Sequence, residues 1–187
     1  AELPGEYSSI SGDVGSIRHV EMVDQNPIGK STRSNPVTYV KAYDAIRQLF
    51  ADQPLSKQMG FSSKYFSFNA EGGRCEECKG TGVITVEMQF MADLELECEA
   101  CHGKRFKHDI LEVRFCGKNI DDVLNMTVSE AIEFFGTNGQ TEIVKRLQPL
   151  ESVGLGYIKL GQNSSTLSGG ENQRVKLAYY IGQEKVE

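Results

Sequence analysis

Two pairs of cysteines constrain this chain of 187 residues more than any other feature. Cys75 pairs with Cys78 and Cys98 with Cys101, in the matched units C-E-E-C-K-G and C-E-A-C-H-G. Two intervening residues let both sulfurs of a turn reach one ion. The glycines that follow, Gly80 and Gly103, permit a tight knuckle that aims backbone amides at the sulfurs. Four thiolates in tetrahedral array suit one structural Zn²⁺ ion in a site closed to substrate. Such an ion supplies folding energy to a module too small to build a full core. A redox C-x-x-C or reduced core thiols are the competing readings, but a redox motif has no need of a second matched pair. The fifth cysteine, Cys116, makes the total odd, which argues against a secreted disulfide framework and for a reducing compartment. Cys116 reads as a bystander, and His102 as a neighbour the shell does not require.

The rest of the chain divides around this module. Residues 8–24 read as short β segments, with Ile17, His19 and Glu21 alternating against Arg18, Val20 and Met22. A Pro- and Gly-containing loop follows to Pro36. A helix is expected from Pro36 to Phe50, capped by Asn35, with Tyr39, Tyr43, Ile46 and Phe50 facing a core and Pro54 just past its end. Residues 61–118 read as a β-rich insert. One half-buried strand is expected over Ile84, Val86, Met88 and Phe90, and another over Leu111, Val113 and Phe115. Thr127 and Glu130 form a capping box that opens a helix through Phe135. Ile143, Val144, Leu147 and Leu150 mark a further helix whose end Pro149 blurs. A last helix is expected from Gly169 to Ile181.

Charge narrows the choice of partners. The formal net charge is -6, so the chain is no general polyanion binder and any DNA contact must be local. Arg74, Lys79, Lys104, Arg105 and Lys107 cluster near the knuckles. Phosphate contact and an ordinary solvated face fit them equally well. No apolar run approaches a membrane span. The opening Ala-Glu-Leu-Pro-Gly-Glu lacks an initiator Met and the features of a signal peptide, so the chain reads as an internal piece of a cytoplasmic protein.

The second strong motif is Leu167-Ser168-Gly169-Gly170-Glu171-Asn172-Gln173. Ser168 and Glu171 have capping-box spacing. Gly169 and Gly170 leave the first amides of a helix open to close approach, at the positive end of its dipole, where an anion is favoured. On chemistry alone, an ordinary capped helix explains these residues as well as a phosphate site does.

A resemblance separates those two readings. L-S-G-G-x-x-Q resembles the signature motif of ABC-type ATPases. Val153–Gln162 leading into that motif, Gly72–Cys78, Cys98–Arg105 and Val23–Gly29 together resemble the UvrA family, over nearly the whole chain. The resemblance implies that Ser168, Gly169, Gly170 and Gln173 are the signature contacts, whose Ser and Gly groups meet the γ-phosphate of ATP held on an opposing nucleotide-binding domain. It makes Gln25 a Q-loop glutamine that reaches Mg²⁺ and the attacking water, and it makes the four cysteines ligands of the zinc module. It also implies damaged double-stranded DNA, UvrB and a second UvrA subunit as partners.

Gly29-Lys30-Ser31-Thr32 looks like the end of a phosphate-binding loop, but Asp24 stands where such a loop needs glycine, and Asn26-Pro27 interrupts the cradle. It is read as Q-loop sequence. The Walker A and Walker B elements are expected outside this segment, so the chain by itself is expected to be inactive as an ATPase. The expected fold is α+β: a partial ATP-binding region over 1–40, then a mostly helical signature domain over 41–187. That domain carries the zinc insert at about 61–118 and the signature helix at 167–181. A zinc-dependent protein-binding module resembling DnaJ-type chaperones is the alternative, but those carry four cysteine units and no such helix.

Overall fold

The computed structural model describes residues 5–17, 20–29, 31, 33–91 and 93–184. Its helical elements are α1 (Pro36–Tyr39), α2 (Ala42–Ala51), α3 (Pro54–Met59), α4 (His108–Leu111), α5 (Ile120–Asn125), α6 (Val128–Thr137), α7 (Thr141–Ser152) and α8 (Gly169–Glu184). One antiparallel hairpin, β1 (Val83–Val86) with β2 (Leu94–Glu97), is the sheet among the described residues. The α+β class is as expected.

A single apolar core runs from Val37 to Ala178. Its helical part is a hairpin of α6 and α7, with α8 laid against α7 and α2 closing the far side. Thr127 caps α6 by accepting from the Glu130 amide, and Glu130 accepts in turn from the Thr127 amide at 2.8 Å. Asn119 and Asp122 cap α5 in the same reciprocal way. Each box satisfies amides that have no acceptor within the helix.

An aromatic group joins this core to the base of the cysteine module. Tyr43 of α2 stacks on Phe68 at 5.0 Å and donates its hydroxyl to the Phe66 carbonyl at 2.7 Å. Phe50 packs on Phe66, and Phe68 meets Phe106 edge-on. Phe50, Phe66 and Phe68 are wholly excluded from solvent. Burial pushes the Tyr43 phenol well above its ordinary pKa, so it stays a neutral donor.

Several expectations are corrected. The helix expected from Pro36 to Phe50 is broken at Lys41, whose φ is 59°. No glycine or proline marks the break. Tertiary contacts hold it: the Lys41 carbonyl accepts from Arg146 and its ammonium lies over the Tyr179 ring. Pro54 lies just past the end of α2, as expected, and also opens α3. Residues 8–24 hold a 3₁₀ turn at Val14–Ser16 and no strand among those described, and Ile17, Val20 and Met22 are exposed. Arg18 and His19 lie outside the described residues. The strand expected to run to Phe90 stops at Val86, and most of the hairpin is exposed on both faces. The strand expected over Leu111–Phe115 is α4 and a tight turn, because Ile110, Leu111 and Val113 reach the core by a helical step.

Phe135 is fully buried and Phe90 is 96% exposed. Phe135→Ala is therefore expected to cost about 3–5 kcal/mol in urea unfolding. Phe90→Ala is expected to stay within about 0.5 kcal/mol of the parent.

Candidate metal centre and signature tip

The two knuckles converge. The sulfurs of Cys75, Cys78, Cys98 and Cys101 all lie within 4.8 Å of one another, and all four residues are buried. Cys75 and Cys98 approach to 3.9 Å, and Cys78 and Cys101 to 3.7 Å. The set spans the two turns that bracket the hairpin. His102 and the exposed Cys116 are not part of it.

The backbone of each knuckle is bent to serve the sulfurs. Lys79 and His102, the residues after Cys78 and Cys101, both have positive φ, and so do Gly80 and Gly103. Gly80 has φ 86°, and a Cβ there would run into the Phe68 carbonyl, so only glycine fits. The Gly82 amide donates to the Cys78 sulfur at 3.3 Å. Burial raises the Cys78 thiol, but the amides of Gly82 and Gly80 and the sulfurs of Cys101 and Cys75 outweigh it and lower its pKa to about 7. Burial first, then the neighbouring sulfurs, pushes Cys101 up. Four sulfurs around one point, with amides aimed at them, match the donor set of a closed Cys₄ zinc site.

The basic residues near the knuckles have different surroundings. Lys79 and Lys104 are exposed. Arg74 donates to the Asn69 carbonyl and pairs with Glu71. Lys107 pairs with Glu76. Arg105 is half-buried, with its guanidinium over the Phe68 ring and bonded to the Gly161 carbonyl.

α8 begins at an exposed tip of Ser168, Gly169 and Gly170. Glu171 accepts from the Ser168 amide at 2.7 Å and from its hydroxyl at 2.9 Å, and the Ser168 oxygen accepts from the Glu171 amide. Tyr157 donates to the same carboxylate at 2.6 Å. The Tyr157 hydroxyl, then the Ser168 amide and hydroxyl, hold the Glu171 carboxyl below its usual pKa. The cap is thus held by Glu171, and the first-turn amides of Gly169 and Gly170, which have no acceptor within a helix, stand on exposed residues. A Cβ on Gly170 would meet nothing within 4 Å, so the chain's own packing does not demand glycine there.

Gln25 lies beside this tip: a Cβ on Gly169 would sit 3.3 Å from the Gln25 Cβ. Residues 23–28 run as a strap along α8. Gln173 donates to the Val23 carbonyl at 3.0 Å, Lys176 pairs with Asp24, and Asn172 accepts from the Ile28 amide at 3.1 Å. The structure therefore gathers Gln25, Ser168, Gly169, Gly170 and Gln173 in one place. Sequence reasoning missed the strap partners Asn172 and Lys176. A long-range bond of a buried Asn leaves no local pattern to read.

The cysteine cluster is expected to bind about one Zn²⁺ per chain. Cys98→Ser should leave metal content well below that by atomic absorption. Because ligand binding displaces thiol protons, zinc should also be released progressively as pH falls below neutrality. A fully retained ion at pH 4, or in the Cys98→Ser protein, contradicts the assignment.

Comparison with known proteins agrees with the geometry. A scan against protein-family models finds no match. UvrABC system protein A of Clostridium perfringens is 50% identical over 97% of the chain, and that of Neisseria meningitidis is 52% identical over the same share. That of Lactiplantibacillus plantarum is 51% identical over 99%. The chain spans about a fifth, 19%, of the length of these relatives. Among solved structures, UvrA2 from Deinococcus radiodurans superposes with a TM-score of 0.86 and 46% identity, over 92% of this chain and 21% of that one. With about half of its residues identical to these proteins over nearly its whole length, the chain belongs to the UvrA family.

Proposed function

We propose that this chain supplies two parts of a UvrA protein's machinery: the signature tip that meets ATP, and a zinc module near DNA. Gly170 carries the proposal. Glycine is a poorer helix former than alanine, by up to about 1 kcal/mol in a helix interior. Among the described residues, nothing lies within 4 Å of where a Cβ on Gly170 would sit. The requirement therefore lies with something that approaches from outside, and bare amides at a helix N-terminus favour an anion. The terminal phosphate of ATP and Mg²⁺, presented by an opposing nucleotide-binding half, fit that description. Ser168, Gly169, Gly170 and Gln173 would then contact nucleotide. Gln25, strapped beside them, would relay its arrival as the Q-loop glutamine.

In the intact protein, ATP closure would change the grip of a UvrA dimer on distorted duplex DNA and allow transfer to UvrB. The protein would then act in nucleotide excision repair, in the cytoplasm. Distortion would be sensed through duplex deformability, not base sequence. No helix among the described residues is long and apolar enough to cross a membrane. The segment 1–40 would belong to the ATP-binding region and 41–187 to the signature domain. The four-cysteine cluster matches one ion, whereas a DnaJ-type module would need two.

Gly170→Ala separates folding from function. It is expected to hold or raise thermal stability, by about 0.4–1 kcal/mol. ATP turnover of the full-length protein should nevertheless fall at least about tenfold, the effect of losing about 1.4 kcal/mol of phosphate stabilisation. Unchanged turnover contradicts the phosphate role. For DNA, Lys79 and Lys104 are the exposed candidates for phosphate contact. Changing both to Ala should lower the salt slope of DNA binding by about two. An unchanged slope removes them from the DNA surface.

A further inference from the structure

Arg105 stands immediately beyond the second cysteine knuckle, in left-handed backbone with φ 68°. Its carbonyl accepts from the Cys75 amide at 2.8 Å. Arg105 thus ties the turn that carries Cys101 to the one that carries Cys75 through its backbone. Its side chain points the other way. The guanidinium lies 5.8 Å from the centre of the Phe68 ring, and Nη2 donates to the Gly161 carbonyl at 2.9 Å.

Gly161 opens the short run that ends at the signature tip. Its own amide is fixed to the Leu124 carbonyl at 2.8 Å, and a Cβ on it would crowd Leu124 at 3.0 Å and Arg105 Nη1 at 3.2 Å. Further along, Asn172 gathers the carbonyls of Ser164, Leu167 and Ser168. A continuous path of hydrogen bonds and short chain therefore runs from the Cys75 amide through Arg105 and Gly161 to Ser168. A planar guanidinium can stack on an aromatic ring and donate at its edge together, and an ammonium cannot.

We propose that Arg105 is a positioning residue that couples the zinc knuckle to the signature tip. Movement of one then biases the other, and the guanidinium serves this link and not a DNA phosphate. The inference rests on the reading that the tip meets a nucleotide phosphate. Coupling of binding equilibria is reciprocal: if the zinc module affects phosphate engagement, nucleotide must affect the zinc module to the same degree.

The test uses the zinc-loaded full-length protein that carries this chain. Zinc is titrated to equilibrium against a chromogenic chelator with and without a non-hydrolysable ATP analogue. Binding of a fluorescent nucleotide is measured separately. In the parent protein, nucleotide should change zinc affinity about fivefold or more, the lower range of allosteric coupling. Arg105→Lys and Gly161→Ala should keep zinc and bind nucleotide, with the response reduced below about twofold. Arg105→Ala should behave likewise; if it loses zinc instead, Arg105→Lys and Gly161→Ala, which attack the link from either end, decide the matter. Variants that respond as the parent does overturn the coupling, as does a parent that binds nucleotide without any change in zinc affinity. A parent that does not bind nucleotide overturns the phosphate reading, and the coupling with it.

Discussion

Convergence of four buried sulfurs is the constraint on which the cysteine module depends. The hairpin between the knuckles has little to hold it by burial: Ile84, Val86, Leu94 and Leu96 are all partly open to water, and Phe90 is almost wholly so. A two-stranded ribbon of this kind is marginal in water by itself. Its ends are gathered because Cys75 and Cys78 face Cys98 and Cys101 across one point. Closed thiolate sites of this type contribute about 10–16 kcal/mol of apparent binding energy in small metal-held peptides. That is enough to order a segment whose own apolar contacts are not.

Below the sulfurs, the aromatic group of Tyr43, Phe50, Phe66, Phe68 and Phe106 merges the module with the helical core. The module therefore does not hang from a flexible stalk. Its second knuckle is fastened by Arg105 to the segment that leads into α8, and α8 is fastened by Gln173 and Lys176 to residues 23 and 24. Rigid junctions of this sort let a load at one end be felt at the other, because packed interiors shift between discrete arrangements and do not deform gradually.

What was legible in the sequence is what depends on local chemistry. Cysteine spacing named all four members of the cluster. Asn35, Thr127 and Ser168 were readable as caps because a capping side chain acts within three residues of itself. The glycines of L-S-G-G marked an open helix start. Features set by distant partners were not legible. Lys41 breaks a good helical pattern for the sake of Arg146 and Tyr179. Leu111, Val113 and Phe115 alternate as a strand would, yet the chain there turns as a helix, since burial of Ile110 and Leu111 together outweighs a period of two. The alternation near residue 20 found no partner strand among the described residues. Arg105 looked like its basic neighbours, because a bond to a carbonyl 56 residues away leaves no mark beside it.

The most direct test of the central claim is amide hydrogen exchange at Gly169 and Gly170 in the full-length protein, followed with and without a non-hydrolysable ATP analogue and Mg²⁺. These first-turn amides have no acceptor within the helix, so they should exchange quickly in the free protein and slow at least about tenfold when a phosphate caps them. Equal exchange in both states, at nucleotide concentrations shown to saturate binding, would contradict the assignment of the tip to ATP.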